Sequence, residues 1–167
     1  MVTPNDRVLD RAREVIAAVS DPEIPAVSIV DLGIVRSIEE CDGEILVTIT
    51  PTYSGCPAMQ LIENSIGETL RASGIDHFKI VKTLSPAWTT EWITETGRQK
   101  LLDAGISPPG ALSQHARIIF DLTPRDVRCP LCGSSKTQVT SEFGSTPCKA
   151  YYHCSNCSST FEYFKPL

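Results

Sequence analysis

Histidine is scarce in this chain of 167 residues. Only His77, His115 and His153 occur, and none stands in a motif with a nucleophile. A cysteine or serine hydrolase needs a base within reach of its nucleophile, so that chemistry has no support here. Long apolar runs are missing too. No stretch approaches the ~18 consecutive apolar residues of a membrane span, which predicts no membrane partner. The first residues, MVTPNDRVLDRAREVI, are charged early and lack the apolar core of a signal peptide, so a cytoplasmic protein is expected. An excess of positive charge is the third absence. The formal net charge is −5. From Arg128 onward four bases face two acids, while the remainder carries 11 bases against 18 acids, so an acidic body precedes a slightly basic tail. Phosphate contacts dominate nucleic-acid affinity, so nucleic acid is not the expected partner.

What the chain has instead is cysteine, seven in all. Four form two C-x-x-C pairs, CPLC at 129–132 and CSNC at 154–157. A tight turn between paired cysteines aims both sulfurs at one point. Two such knuckles supply the four-thiolate tetrahedron that zinc prefers in structural sites. Cys129, Cys132, Cys154 and Cys157 are therefore the candidate metal ligands. A redox dithiol pair is the bland alternative, and iron in a rubredoxin-like site would take the same ligands. Three strand-like pieces, KTQVTSE, KAYYH and TFEYFK, accompany the knuckles in the layout of a zinc ribbon. So short a segment builds little core, and metal supplies the missing folding energy. Six of the eleven aromatics lie between Phe143 and Phe164 and are expected to pack that small core. Ser158 stands where the second knuckle would be expected to carry a glycine, which weakens the turn expected there. Cys148 is a fifth thiol nearby, read either as a free cysteine or as an alternative ligand.

Upstream, apolar periodicity predicts a helix over 5–19, with Val8, Leu9, Ala12, Val15, Ile16 and Val19 on one face. IVRSIEE and EILVTIT read as strands joined by Cys41-Asp42-Gly43, a strong hairpin signal. A second helix is expected over 57–72, opened by Pro57, striped by Met59, Ile62, Ile66 and Leu70, and closed by Gly74. HFKIVKTL gives a third strand, followed by helical turns interrupted at Gly97. The order α-β-β-α-β-α predicts a small two-layer α/β domain on residues 1–108, then a linker at 109–127 holding a short strand, RIIFDL, and the zinc ribbon on 128–167.

Cys56 sits on the corner between the second strand and the second helix, in ITPTYSGCPAM. With Pro57 at the first helical position, Cys56 falls at the N-cap, where free N–H groups and the helix dipole favour thiolate. That makes it a nucleophile or a soft-metal ligand. The competing reading is a small cysteine packed under its loop.

VSDPEIPAVSIVDLGIV and VTITPTYSGCPAM, with the helix that follows, resemble the iron–sulfur-assembly domain family. SPAWTTEWITETGRQKLLDAGISPP and the C-terminal cysteine segment narrow the likeness to the D-subunit family of phenylacetyl-CoA epoxidase (ring 1,2-oxygenase) systems. The resemblance implies an accessory protein of phenylacetate degradation rather than an enzyme. It would act in maturation of the oxygenase's iron–sulfur reductase component, with oxygenase or reductase components as partners. It also implies a transient iron–sulfur cluster at Cys56, the motif cysteine, with Asp21, Glu23 and Asp31 as the matching acidic positions. Turn and cap chemistry explains those acids equally well. A stoichiometric structural or regulatory subunit, with Cys56 merely packed, is the alternative. The client and the oligomeric state, a homo-oligomer included, stay open.

Overall fold

The computed structural model of the protein describes residues 4–53, 55–110 and 127–166, with side chains from Asp6 onward. The chain forms two compact units, Met1–Gly97 and Arg98–Leu167. The division falls ahead of residue 108, where the sequence pattern ends its first domain.

The first unit is a three-stranded sheet carrying two helices. Helix α1 spans Pro4–Ala17, strand β1 Val35–Cys41, β2 Glu44–Ile49, helix α2 Met59–Ala72 and β3 Phe78–Lys82. The sheet order is β1-β2-β3. β1 and β2 run antiparallel, through a turn in which Asp42 (φ 53°) and Gly43 (φ 85°) both adopt left-handed geometry. That is the type I′ turn an Asp-Gly pair favours, because its twist matches the strands. β2 and β3 run parallel, Ile45 opposite Phe78 through Ile49 opposite Lys82. Parallel neighbours require a crossover, and α2 supplies it.

β2 is the middle strand, and the alternation seen in its sequence is its burial: Ile45, Val47 and Ile49 are no more than 1% exposed. Met59, Ile62, Ile66 and Leu70 of α2 and Ala12 and Ile16 of α1 are buried with them. The end of α2 is a Schellman motif. The Gly74 N–H donates to the Arg71 carbonyl at 2.9 Å and the Ile75 N–H to the Leu70 carbonyl at 3.0 Å. Gly74 takes φ 77°, as a residue just past a helix often must.

Two local expectations are corrected. α2 begins regular helix at Met59 rather than at residue 57. Ahead of it, the Met59 N–H reaches the Cys56 carbonyl at 3.4 Å, a tighter i to i+3 turn. The second concerns Gly97. Helix α3, Glu95–Asp103, runs straight through that residue. A Cβ on Gly97 would lie 2.7 Å from the Asp31 carbonyl oxygen, so glycine is there for close approach and not as a breaker.

The second unit holds a four-stranded sheet of order β4-β7-β6-β5. Its strands are β4 Ile106–Ser107, β5 Thr137–Ser141, β6 Lys149–Cys154 and β7 Thr160–Phe164. The last three coincide with the strand-like pieces of the ribbon. β4 pairs parallel with β7; Ile106 closes the segment read as helical turns, and two residues before a proline pair carry no periodicity to reveal a strand. The expected strand RIIFDL lies outside the described residues. Val127, Cys129, Cys154, Phe161 and Tyr163 form the core of this unit, with Tyr152 packed on it. The Tyr152 ring lies 6.0 Å from Phe161 and 5.4 Å, edge-on, from Tyr163. The opposite side of β6 and β7 buries a charge: the Lys149 ammonium, in a residue only 3% exposed, meets Glu162 at 3.1 Å.

Candidate functional site

The first candidate centres on Cys56. Between the end of β2 and the start of α2, the Cys56 N–H donates to the Tyr53 carbonyl at 3.1 Å. The thiol is half-buried. The Ala58 N–H and the Thr52 hydroxyl are hydrogen-bonded to its sulfur, and Glu23 and Asp21 act on it electrostatically.

The N-terminal position was expected to depress the thiol pKa. The opposite holds: burial pushes it up, Glu23 and Asp21 push further, and the two hydrogen bonds do not offset them. Donors at a helix start stabilise a thiolate only while water or positive charge balances the desolvation. Here two carboxylates stand nearby, and the resting state is the thiol.

Of the three acidic positions, two reach this thiol. Asp21 is 6% exposed, and its Oδ1 accepts the N–H groups of Glu23 and Ile24, both at 2.9 Å. That bond pair folds SDPEIP so that Glu23 and Asp21 both act on Cys56. Asp31 does something else. Its carbonyl accepts the Thr94 N–H at 2.9 Å and its Oδ1 the Thr94 hydroxyl at 3.0 Å. Thr94 in turn caps α3, accepting the Gly97 N–H at 2.9 Å. Asp31 thereby ties the start of α3 to the loop before β1. Thr52 escaped the sequence pattern, because a threonine in a turn reads as turn chemistry. Thr50, 1% exposed, has a hydroxyl with no hydrogen-bond partner among the described residues.

The second candidate is the cysteine cluster. The four sulfurs of Cys129, Cys132, Cys154 and Cys157 all lie within 4.8 Å of one another. Cys129 and Cys157 are 3.7 Å apart, and Cys132 and Cys154 3.6 Å. A tetrahedron of sulfurs each ~2.3 Å from zinc has edges of about 3.8 Å, so this donor set fits a metal ion of that kind. The knuckles share one construction. The Gly133 N–H donates to the Cys129 carbonyl at 2.9 Å and the Ser158 N–H to the Cys154 carbonyl at 2.8 Å. Gly133 has φ 70° and Ser158 φ 60°. The turn expected to weaken at Ser158 is therefore intact, with serine held in a conformation glycine would adopt more easily. Burial pushes the Cys129 thiol up to about 11. The hydroxyl and N–H of Ser159 bring Cys157 down to about 6. Cys148 is buried outside this group, its sulfur 3.0 Å from the Thr146 hydroxyl.

An assembly-type α/β domain carrying a cysteine on its strand–helix corner, joined to a ribbon with a four-thiol centre, defines the class. Residues 9–76 match the family described as iron-sulfur cluster assembly protein. Residues 119–165 match the PaaD zinc beta ribbon domain. A protein of Escherichia coli (strain K12) named as the D-subunit of 1,2-phenylacetyl-CoA epoxidase is 44% identical over 150 residues, covering 90% of this chain and 88% of that protein. The chain belongs to that D-subunit family. An Fe-S protein maturation auxiliary factor of Porphyromonas gingivalis (strain ATCC BAA-308 / W83) is 33% identical over 85 residues, 50% of this chain and 80% of its own. A crystal structure of a domain of unknown function from Bacillus anthracis superposes with a TM-score of 0.53 at 23% identity, over 58% of this chain and 93% of that one. It supports the fold alone. No helix among the described residues is long and apolar enough to cross a membrane.

Proposed function

We propose that this protein is a non-catalytic accessory component of a phenylacetyl-CoA epoxidase system in phenylacetate degradation, assisting iron–sulfur loading of the system's reductase component. The likeness to the Escherichia coli epoxidase component over nearly the whole chain carries the reading. The Porphyromonas maturation factor, which matches half the chain, supports it. Cysteines kept as thiols and metal ligands suit a reducing compartment, and the cytoplasm is where it would act.

In this reading the cluster is cargo and Cys56 its transient ligand. The thiol rests protonated, shielded by burial and by Glu23 and Asp21. When iron approaches, the same carboxylates favour the cation, and the sulfur passes its proton to solvent water as the sulfur–iron bond forms. The Ala58 N–H and Thr52 hydroxyl then stabilise the thiolate that remains. A ligand that is neutral at rest binds reversibly, as an escort must. Cys129, Cys132, Cys154 and Cys157 would hold a resident zinc ion whose role is structural, since four protein sulfurs leave no open position.

The half-burial of Cys56 and its raised pKa also favour a second reading, a stoichiometric subunit in which the thiol only packs. Cluster reconstitution into the isolated reductase component separates the two. Cys56→Ala and Cys56→Ser should both slow loading while keeping fold and zinc content, because serine preserves size and hydrogen bonding but is a harder ligand. Normal loading with both variants would remove Cys56 from the function and leave the packing role.

A further inference from the structure

An open groove of about 510 Å³ lies between α1 and β1 of the first unit, and none of its lining residues belongs to the Cys56 site. Its apolar lining includes Ala17, Val30, Val35 and Ile38, and two arginines, Arg13 and Arg36, are among its lining residues. Glu39 is the acid among the lining residues.

Arg36 is built into place. In the β1–β2 ladder Val35 pairs with Ile49 and Ser37 with Thr48, so Arg36 is the extra residue of a β-bulge. Bulges re-aim a side chain and are frequent beside functional sites. The re-aimed guanidinium lies over the Trp92 ring, 3.4 Å from its centroid. Trp92 is itself pressed on Gly33, where a Cβ would fall 2.5 Å from the Trp92 carbonyl oxygen and 2.6 Å from its Cβ. Among the described residues no carboxylate forms an ion pair with Arg36. Packing on the ring holds the guanidinium in place, and its planar fork of N–H groups is the kind that receives a carboxylate bidentately. Arg13 offers a second cation. Its carboxylate partner, Asp10, is 3.5 Å away on an exposed helix face, an interaction worth little and easily displaced.

A chain whose first 127 residues carry 18 acids against 11 bases thus presents a groove with two arginines, an apolar floor and a rigid aromatic support for one of the cations. We propose that this groove docks an acidic segment of a protein partner, with one carboxylate on Arg36, a second near Arg13, and an apolar side chain between them on Val35 and Ile38. The charge of the groove against that of the body selects the occupant: acidic protein surfaces are repelled elsewhere on this unit and received here.

The test uses the full chain and an acetylated, amidated peptide of sequence Glu-Leu-Glu-Val-Glu, with its Gln-Leu-Gln-Val-Gln counterpart and glutarate as controls. Saturable amide shifts confined to residues 13–17 and 35–39, with a shift of the Trp92 indole N–H resonance, are expected for the Glu peptide. Binding should weaken with salt. Arg36→Gln should reduce affinity about tenfold, and Arg36→Lys should recover only part of it, because an ammonium lacks the planar fork. Absence of saturable binding at these residues, equal binding of the Gln peptide, or unchanged affinity in Arg36→Gln would overturn the proposal. Glutarate binding as tightly as the peptide would also overturn it, in favour of a small-carboxylate site. None of these readouts involves cluster loading, so the outcome is independent of the role of Cys56.

Discussion

Gly97 and Asp31 approach so closely that a methyl group on Gly97 would lie 2.7 Å from the Asp31 carbonyl oxygen. That same oxygen accepts the Thr94 N–H at 2.9 Å, so the contact cannot relax without loosening the start of α3. In an open helix Gly→Ala gains about 1 kcal/mol. Here the overlap with backbone wins, and Gly97→Ala should destabilise the first unit by roughly 1–2 kcal/mol. Chemical denaturation followed by tryptophan fluorescence, which reads Trp88 and Trp92, measures it.

Ser158 gives the reverse expectation. It occupies φ 60° with its N–H already bonded to the Cys154 carbonyl at 2.8 Å. Glycine relieves the left-handed strain and keeps the bond. Ser158→Gly should stabilise the ribbon by roughly 0.5–1 kcal/mol, after the entropy glycine adds to the unfolded chain is subtracted. A higher midpoint in chelator-driven unfolding would report it.

The cysteine cluster predicts about one zinc ion per chain, by elemental analysis. Cys132→Ser removes one sulfur from a set that all lies within 4.8 Å. It should lose the metal and the near-ultraviolet signal of Tyr152 and Phe161 together. The helices of the first unit should persist in far-ultraviolet circular dichroism, since α1 and α2 belong to a separately packed core. Full metal retention in that variant would refute the ligand assignment.

Lys149 and Glu162 make a pH prediction. Burial alone would raise the Glu162 pKa, but the Ser145 N–H and hydroxyl and the Lys149 ammonium together hold it below the usual carboxylate range. A carboxylate with a depressed folded-state pKa stabilises above its unfolded value near 4.3 and loses that contribution as pH falls through the folded value. Ribbon stability should therefore drop below about pH 4 more in the wild type than in Glu162→Gln. At pH 7 that variant leaves the Lys149 ammonium, in a side chain 4% exposed, without its carboxylate and should cost roughly 3 kcal/mol. Lys149→Met with Glu162→Leu should restore much of it.

The parts of the fold written as local chemistry were legible in the chain. The Asp42-Gly43 turn, the Met59-Ile62-Ile66-Leu70 stripe and the two C-x-x-C knuckles each express a rule that needs few neighbours. What was hidden depends on distant contacts. Gly97 resembles a helix breaker until Asp31 is set against it. β4 exists only because β7 offers an edge, and the Cys56 thiol looks activated until its burial and the nearby Glu23 and Asp21 carboxylates are counted. Arg36 reads as one more polar residue on a strand, and only the unpaired position in the ladder and the ring of Trp92 set it apart.

The four-thiol centre has a wet side and a dry side. Cys129 and Cys154 are buried while Cys132 and Cys157 are exposed, one of each from either knuckle. Each close sulfur pair, Cys129 with Cys157 and Cys132 with Cys154, joins an inner thiol to an outer one across the two knuckles. Any reagent arriving from solvent therefore meets the second cysteine of a motif before the first. Damage should therefore have a direction: chelators and oxidants are expected to open the centre from its outer pair, Cys132 and Cys157, before they reach the inner sulfurs.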